Sequence, residues 1–302
     1  MTCAIILRMR LLALAAFAGL LAAACSSGMS GGSAGSVVQV VAGQNFWGDI
    51  ASQLGGSHAS VQSVVTDPNA DPHEYESNAN DARAFADANL VILNGAGYDT
   101  WADKLLSASP NQSRKVLTVA DVLGKKEGDN PHFWYNPDYV ITIADKITAE
   151  YKSIDSADSG YFDGQRTALT AALQPYTQRL AEIKQKFAGV PVGATESIFV
   201  YLADYLGLNL ISPPEFMQAV SEGNDPSTSD VVTFQNQIAQ KAIKILVYNN
   251  QTVTAVTTNL KAAAAQESIP VVGISETLEP TTVSFQAWQV SQLVALEKAL
   301  AQ

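Results

Sequence analysis

From residue 37 onward, apolar positions follow two alternating rhythms, a β-branched run and then a helically spaced stripe, which predicts strand followed by helix again and again. VVQVVAG (37–43) is a β-branched run closed by glycine, and FWGDIASQLGG (46–56) carries apolar residues at helical spacing before a glycine stop. A strand over 60–65, a helix over 80–88 opened by an asparagine cap, a helix over 101–107 and a strand over 116–119 continue the series. LVILNG (90–95) opens with four apolar residues in succession, as expected of a strand buried on both faces of a parallel sheet. The second half repeats the theme, with strands at 190–195, 208–212, 244–249 and 269–274 and helices at 198–206, 229–240 and 252–265. Between the halves, residues 137–187 offer no strand. Two helices are predicted there, 138–151 and a long one over 159–187 in which Pro175 must kink or break the helix. The pattern therefore predicts an α/β protein with an N-terminal lobe (37–137), a helical region (138–188) and a C-terminal lobe (189–302), each lobe built on a parallel sheet. Ligands of such sheets collect at the carboxyl ends of strands, so a cleft between the lobes is the expected site.

The first 36 residues break this rhythm. Arg8 and Arg10 precede a 14-residue apolar run, Leu11 to Ala24, too short for a membrane span of about 20 residues and suited to a secretory signal peptide over 1–24. Cys25 follows small residues and is followed by a Gly/Ser stretch to residue 36 that reads as a flexible tether. This is the pattern of a bacterial lipoprotein signal, with Cys25 lipidated as the first mature residue, although Leu21 stands four residues before the cysteine rather than three. Cleavage at a plain A-x-A site is the simpler alternative. Cys3 and Cys25 are the only cysteines among 302 residues, so disulfides and thiolate metal sites are excluded from the mature chain.

Charge narrows the partners. With 29 Asp+Glu against 18 Lys+Arg, the chain has no basic cluster with which to neutralise phosphates, and no nucleic-acid role is expected. Chemistry then rests on three histidines. His58, in GGSHAS, reads as a solvated loop residue. His73, in DPHEYE, and His132, in NPHFWYNP, each lie in a proline-stiffened loop beyond a strand of the same lobe. Two imidazoles with carboxylates describe a site for a borderline divalent metal. In the other lobe, Glu196 follows one predicted strand directly and Glu276 follows another. Glu74 and Glu76, beside His73, are either partners of the ligands or solvated charges.

DPHEYE, NPHFWYNP, TESIFVYLADYLGL and VVGISETLEP, behind a lipoprotein-like signal, together resemble the metal-binding solute-binding lipoproteins of zinc and manganese ABC transporters, over about residues 37–300. The resemblance implies two α/β lobes bridged by a long rigid helix, with the metal between them. It implies His73, His132, Glu196 and Glu276 as ligands, where zinc-type members usually have His at the third position and many manganese-type members Glu; the fourth is usually Asp. The stretch before His132, Leu123–Pro131, lacks the histidine-rich loop of many zinc members. Oxygen-rich ligation leans toward manganese, zinc follows closely because the Irving–Williams order favours it at almost any such site, and ferrous iron comes third. The implied partners are an ABC permease with its ATPase, and the membrane through a lipidated Cys25. A monomer on the outer face of the cytoplasmic membrane is expected.

Two rivals remain from the residues alone. An exported metalloenzyme could use the same histidines and a carboxylate, but HEYES (73–77) has serine where a zinc-protease helix needs its second histidine, and no G-x-S-x-G occurs. A binding lipoprotein for an organic solute could stack its ligand on Trp134, Tyr135, Phe199 or Tyr201.

Overall fold

The computed structural model describes residues 37–69 and 72–302. The expected signal peptide, Cys25 and the tether therefore lie outside the described residues.

In the N-terminal lobe, β1 (Val38–Gln44) is followed by α1 (Asn45–Gly55), β2 (Ala59–Val65), α2 (Ala79–Asp87), β3 (Leu90–Leu93), α3 (Trp101–Ala108), β4 (Lys115–Thr118) and the short α4 (Val119–Val122). The sheet order is β2-β1-β3-β4, all parallel. Period-2 alternation sorts its two faces. Val38, Val40, Ala42, Leu90 and Ile92 join the main core, while Val41, Val91 and Leu93 pack with Phe85 and Leu105 on the opposite face. This is why LVIL is apolar at every position.

The helical region holds α5 (Pro137–Ile154), α6 (Ser159–Ala172) and α7 (Gln174–Phe187). Asn136 caps α5 by accepting from the backbone N–H groups of Asp138 and Tyr139, and Pro137 occupies its first turn, where a missing N–H costs nothing. The long helix foreseen over 159–187 is divided at Leu173, and Pro175 sits in the first turn of α7. The break is local, because Leu173 N still donates to Leu169 O and Thr177 N to Leu173 O.

In the C-terminal lobe, β5 (Pro191–Ala194), α8 (Val200–Leu206), β6 (Asn209–Leu210), α9 (Pro214–Ser221), α10 (Thr228–Ala239), β7 (Leu246–Asn249), α11 (Ala255–Gln266), β8 (Val271–Ile274) and α12 (Phe285–Leu300) follow. The sheet order β6-β5-β7-β8 repeats that of the first lobe, again all parallel. α9 and α12 went unpredicted. One core cluster runs through both lobes and includes Trp47, Trp134, Tyr135, Phe199 and Trp288. Trp134, Tyr135 and Phe199 are thus packing residues, with Trp134 stacked on Phe46, and they offer no stacking surface to an organic ligand.

Contacts between the lobes include a set where β8 runs into α12. Leu278 N donates to Asn45 Oδ1, Phe285 N to Asp49 Oδ2, and Tyr135 Oη to the carbonyl of Ser275. The segment after β8 is thereby stapled to α1 of the first lobe.

Candidate metal centre

The two glutamates stand just past strands, whereas the two histidines sit in longer loops of the first lobe. His73 lies in a 3₁₀ turn, Pro72–Glu74, beyond β2, and His132 immediately precedes another, Phe133–Tyr135. Glu196 follows β5 in extended conformation before a 3₁₀ turn, Ser197–Phe199, and Glu276 follows β8. Parallel strands in both sheets direct these carboxyl-terminal loops into one place, and the ligating atoms of all four residues lie within 4.8 Å of one another. His73 Nε2 is 3.2 Å from Glu276 Oε2, and His132 Nε2 is 3.4 Å from Glu196 Oε1 and 3.7 Å from Glu276 Oε2. Ligand atoms each about 2.0–2.1 Å from a four-coordinate zinc stand about 3.4 Å apart, so these separations suit a divalent transition metal.

The surroundings fix how each group is presented. His132 Nδ1 is 2.7 Å from Asn130 Oδ1, while Asn130 Nδ2 donates to the carbonyl of Ser197 at 2.8 Å. That second bond makes Oδ1 the acceptor, so Nδ1 of His132 donates to it and Nε2 is the nitrogen left to ligate. Glu276 Oε2 accepts from Tyr98 Oη of the other lobe at 2.8 Å. Its Oε1 accepts from Asn249 Nδ2 at 2.7 Å and Thr252 Oγ1 at 3.1 Å. The same Asn249 nitrogen donates to Glu196 Oε2 at 2.6 Å.

His132, Glu196 and Glu276 are fully buried, and His73 keeps 21% of its side chain exposed. Burial pushes Glu196 above the usual carboxylate range, with the His132 charge opposing. Burial acts on Glu276 in the same direction, but the charges of His73 and His132 and hydrogen bonds with them outweigh it and hold this carboxyl well below that range. The two carboxyls are thus pushed in opposite directions, Glu196 up by burial and Glu276 down by the imidazoles. His73 opens onto a cavity of about 550 Å³, also lined by Tyr98, Asp129, Met217 and Glu222, which gives a cation an acidic approach.

Other sequence expectations resolve differently. His58 is not a plainly solvated residue: its Nδ1 pairs with Asp158 at 2.8 Å and its ring stacks on Tyr161. Glu74 and Glu76 are exposed, which makes them solvated charges. Asn130, Tyr98, Asn249 and Thr252 went unrecognised. The one available signal was position, since Asn249 ends a strand and Asn130 stands two residues before His132 inside the proline-bracketed motif.

Fold and site together define a two-lobe α/β binding protein with a closed His/carboxylate centre between its sheets. The zinc-uptake complex component A family, periplasmic (ZnuA), matches residues 40–299, and the chain belongs to that family. It is accordingly a solute-binding component of a metal ABC transporter and not an enzyme. The chain is 24% identical over 245 residues, 74% of this chain and 75% of the relative, to a manganese ABC transporter substrate-binding lipoprotein, PsaA, of Streptococcus mitis. It is 29% identical over 219 residues, 65% and 67% of the two chains, to a metal ABC transporter substrate-binding lipoprotein, ScbA, of Streptococcus cristatus. Among solved structures, the periplasmic zinc binding protein TroA of Treponema pallidum shares the fold with a TM-score of 0.73 at 16% identity, over 89% of this chain and 100% of that one.

Proposed function

We propose that this protein captures a divalent transition metal outside the cytoplasm, through His73, His132, Glu196 and Glu276, and hands it to an ABC permease driven by its ATPase. One observation carries the reading: two imidazoles from the first lobe and two carboxylates from the second converge with three of the four side chains fully buried. Buried carboxylates this close are costly unless a cation compensates them, and two of them balance a dication without an exchangeable anion. Four protein ligands leave no position that has to be reserved for water, as suits a carrier. Lipidation at Cys25 would tether a monomer to the outer face of the membrane; among the described residues no helix is long and apolar enough to cross one.

Manganese and zinc are the ions this donor set fits, the oxygen ligands favouring manganese relative to a three-histidine site and the Irving–Williams order favouring zinc. Elemental analysis of the exported protein, followed by competition between the two at buffered free-metal concentrations, tests the reading. One ion per chain is expected. A protein that carries no metal and is not stabilised by added manganese or zinc overturns it.

A further inference from the structure

Asn249 touches no candidate ligand atom that faces the histidines, yet it touches both carboxylates. Its Oδ1 accepts from the backbone N–H of Gln251 at 3.0 Å, which fixes the amide's orientation and points Nδ2 at the two acids. That nitrogen has two hydrogens and three acceptors within reach, Glu196 Oε2 at 2.6 Å, Glu276 Oε1 at 2.7 Å and the more distant Thr252 Oγ1 at 3.1 Å, so the two carboxylates are its nearest partners. Thr252 Oγ1 adds a second donor to Glu276 Oε1 at 3.1 Å. The oxygens left for the histidine side are Glu196 Oε1 and Glu276 Oε2, the same two that lie within 3.7 Å of imidazole nitrogens. Each carboxylate thus turns one oxygen to Asn249 and the other to the histidines, where Glu276 Oε2 also accepts from Tyr98 Oη at 2.8 Å. Asn249 itself is buried and held by the strand end of β7, so the division is built into the sheet and not into a mobile loop.

Denticity follows from this division. A carboxylate that turned both oxygens to a metal would swing its outer oxygen out of the direction in which Asn249 donates and so weaken the bonds of a buried amide, a cost that opposes bidentate binding. Manganese favours higher coordination numbers and readily takes bidentate carboxylates, whereas zinc is content with four ligands at tetrahedral angles. We infer that Asn249 is a specificity-determining positioning residue that restricts Glu196 and Glu276 to one oxygen each, so that the site selects a four-coordinate ion of the zinc type over one that seeks six ligands. The inference rests on the proposed assignment of the four ligands and decides between the two ions that assignment leaves open.

The test uses the full mature chain loaded separately with zinc and with manganese. X-ray absorption on the wild type is expected to show four nitrogen or oxygen neighbours around zinc and no bidentate carboxylate around either ion; bidentate carboxylates around manganese overturn the inference without any variant. Competition titration of Asn249→Ala is expected to lower the zinc-to-manganese affinity ratio by about tenfold or more, the scale on which such supporting residues act. Thr252→Val, which keeps the shape and removes one donor, is expected to shift the ratio in the same direction by less. A ratio unchanged within about twofold, under half a kcal/mol, in both variants overturns the inference. The proposed function fails separately: a wild-type chain that takes up neither ion sinks the ligand assignment, whereas one that binds both with an unaltered ratio in the variants sinks only the role of Asn249.

Discussion

Which nitrogen of His132 is left to ligate is set by a neighbour two residues away. Asn130 is fixed by the Ser197 carbonyl and so forces the proton onto Nδ1, and the same residue accepts from the His132 backbone N–H. Asn130→Ala is therefore expected to weaken metal binding by about 10- to 100-fold, the usual effect of losing a partner that orients a ligand. His73→Ala and His132→Ala should abolish tight binding in the same titration. His58→Ala should leave it unaltered, because that imidazole is engaged with Asp158 and Tyr161. pH supplies a further check. Burial keeps the proton on Glu196 to a higher pH than a solvated carboxyl would hold it, and a bound dication needs that group ionised. Metal uptake then releases a proton, so affinity rises with pH through the range in which Glu196 ionises and falls on acidification. Calorimetry in buffers of different ionisation enthalpy measures the released proton directly, and binding with no proton release would contradict the assignment of Glu196. At this scale the histidines were legible because so few exist and prolines bracket them. Asn249 and Tyr98 were not, because an amide or a phenol after a strand has no spacing signature and gains meaning only from what faces it.

Among the elements, the linker shows how a single residue redirects a predicted helix. Pro175 has no N–H for the carbonyl one turn earlier, and the chain answers by ending α6 at Ala172 and starting α7 at Gln174. α7 is tied to α12 by Glu297, which meets Arg179 at 2.6 Å and Lys186 at 2.8 Å. Hydrogen bonds from Lys186 and Arg179 hold the Glu297 carboxyl below its ordinary range. A lowered acid contributes stability above its unfolded-state value and loses it as pH falls through the folded one. Glu297→Gln is accordingly expected to cost about 1 kcal/mol or less at neutral pH, and nothing at acid pH, in denaturant titrations. α1 offers a stronger case, because the Glu276-bearing segment is anchored to it. Asp49 accepts from the backbone of Phe285 and from Gln53, so Asp49→Ala leaves donors unmatched and should cost about 1–3 kcal/mol, with Asp49→Asn much milder. The strands and most helices were visible from periodicity. α12 was missed because its buried positions include Gln289 and Gln292 as well as Leu293 and Leu296, which blurs the apolar stripe.

Across the whole molecule, the four proposed ligands come from both lobes, so an ion bound by them would bridge the two sheets. Metal should therefore stabilise the folded protein, by about 2.7 kcal/mol at a free concentration a hundredfold above Kd, and a chelator should reverse the gain. Thermal melting with and without zinc or manganese reads this out, and an unchanged Tm at saturating metal would contradict the site. Release by simply parting two equal halves is not what the contacts describe. Glu276 belongs to the second sheet, yet the residues after it are bonded to Asn45 and Asp49 of the first lobe, and its own Oε2 accepts from Tyr98. The segment that carries Glu196 is tied as well, because Asn130 of the first lobe donates to the Ser197 carbonyl and accepts at its own carbonyl from Tyr201 Oη, so both acid-bearing segments are bonded to the first lobe.

Alternating periodicity and short apolar strands were enough for the α/β class and the repeated lobes, the cysteine count excluded disulfides from the expected mature chain, and the motifs around two histidines and two glutamates carried the resemblance that implied the four ligands. Those properties depend on local order, and local order is written in the chain. Tertiary structure alone decided which nitrogen of His132 faces the site, which oxygen of each carboxylate faces the histidines and which carboxyl is pushed up and which down in pKa. Each of these depends on a donor or a charge from a distant segment, Asn249 for Glu196 across 53 positions and Tyr98 for Glu276 across 178. Hydrogen-bond direction and desolvation are properties of the assembled neighbourhood, and no residue carries them by itself.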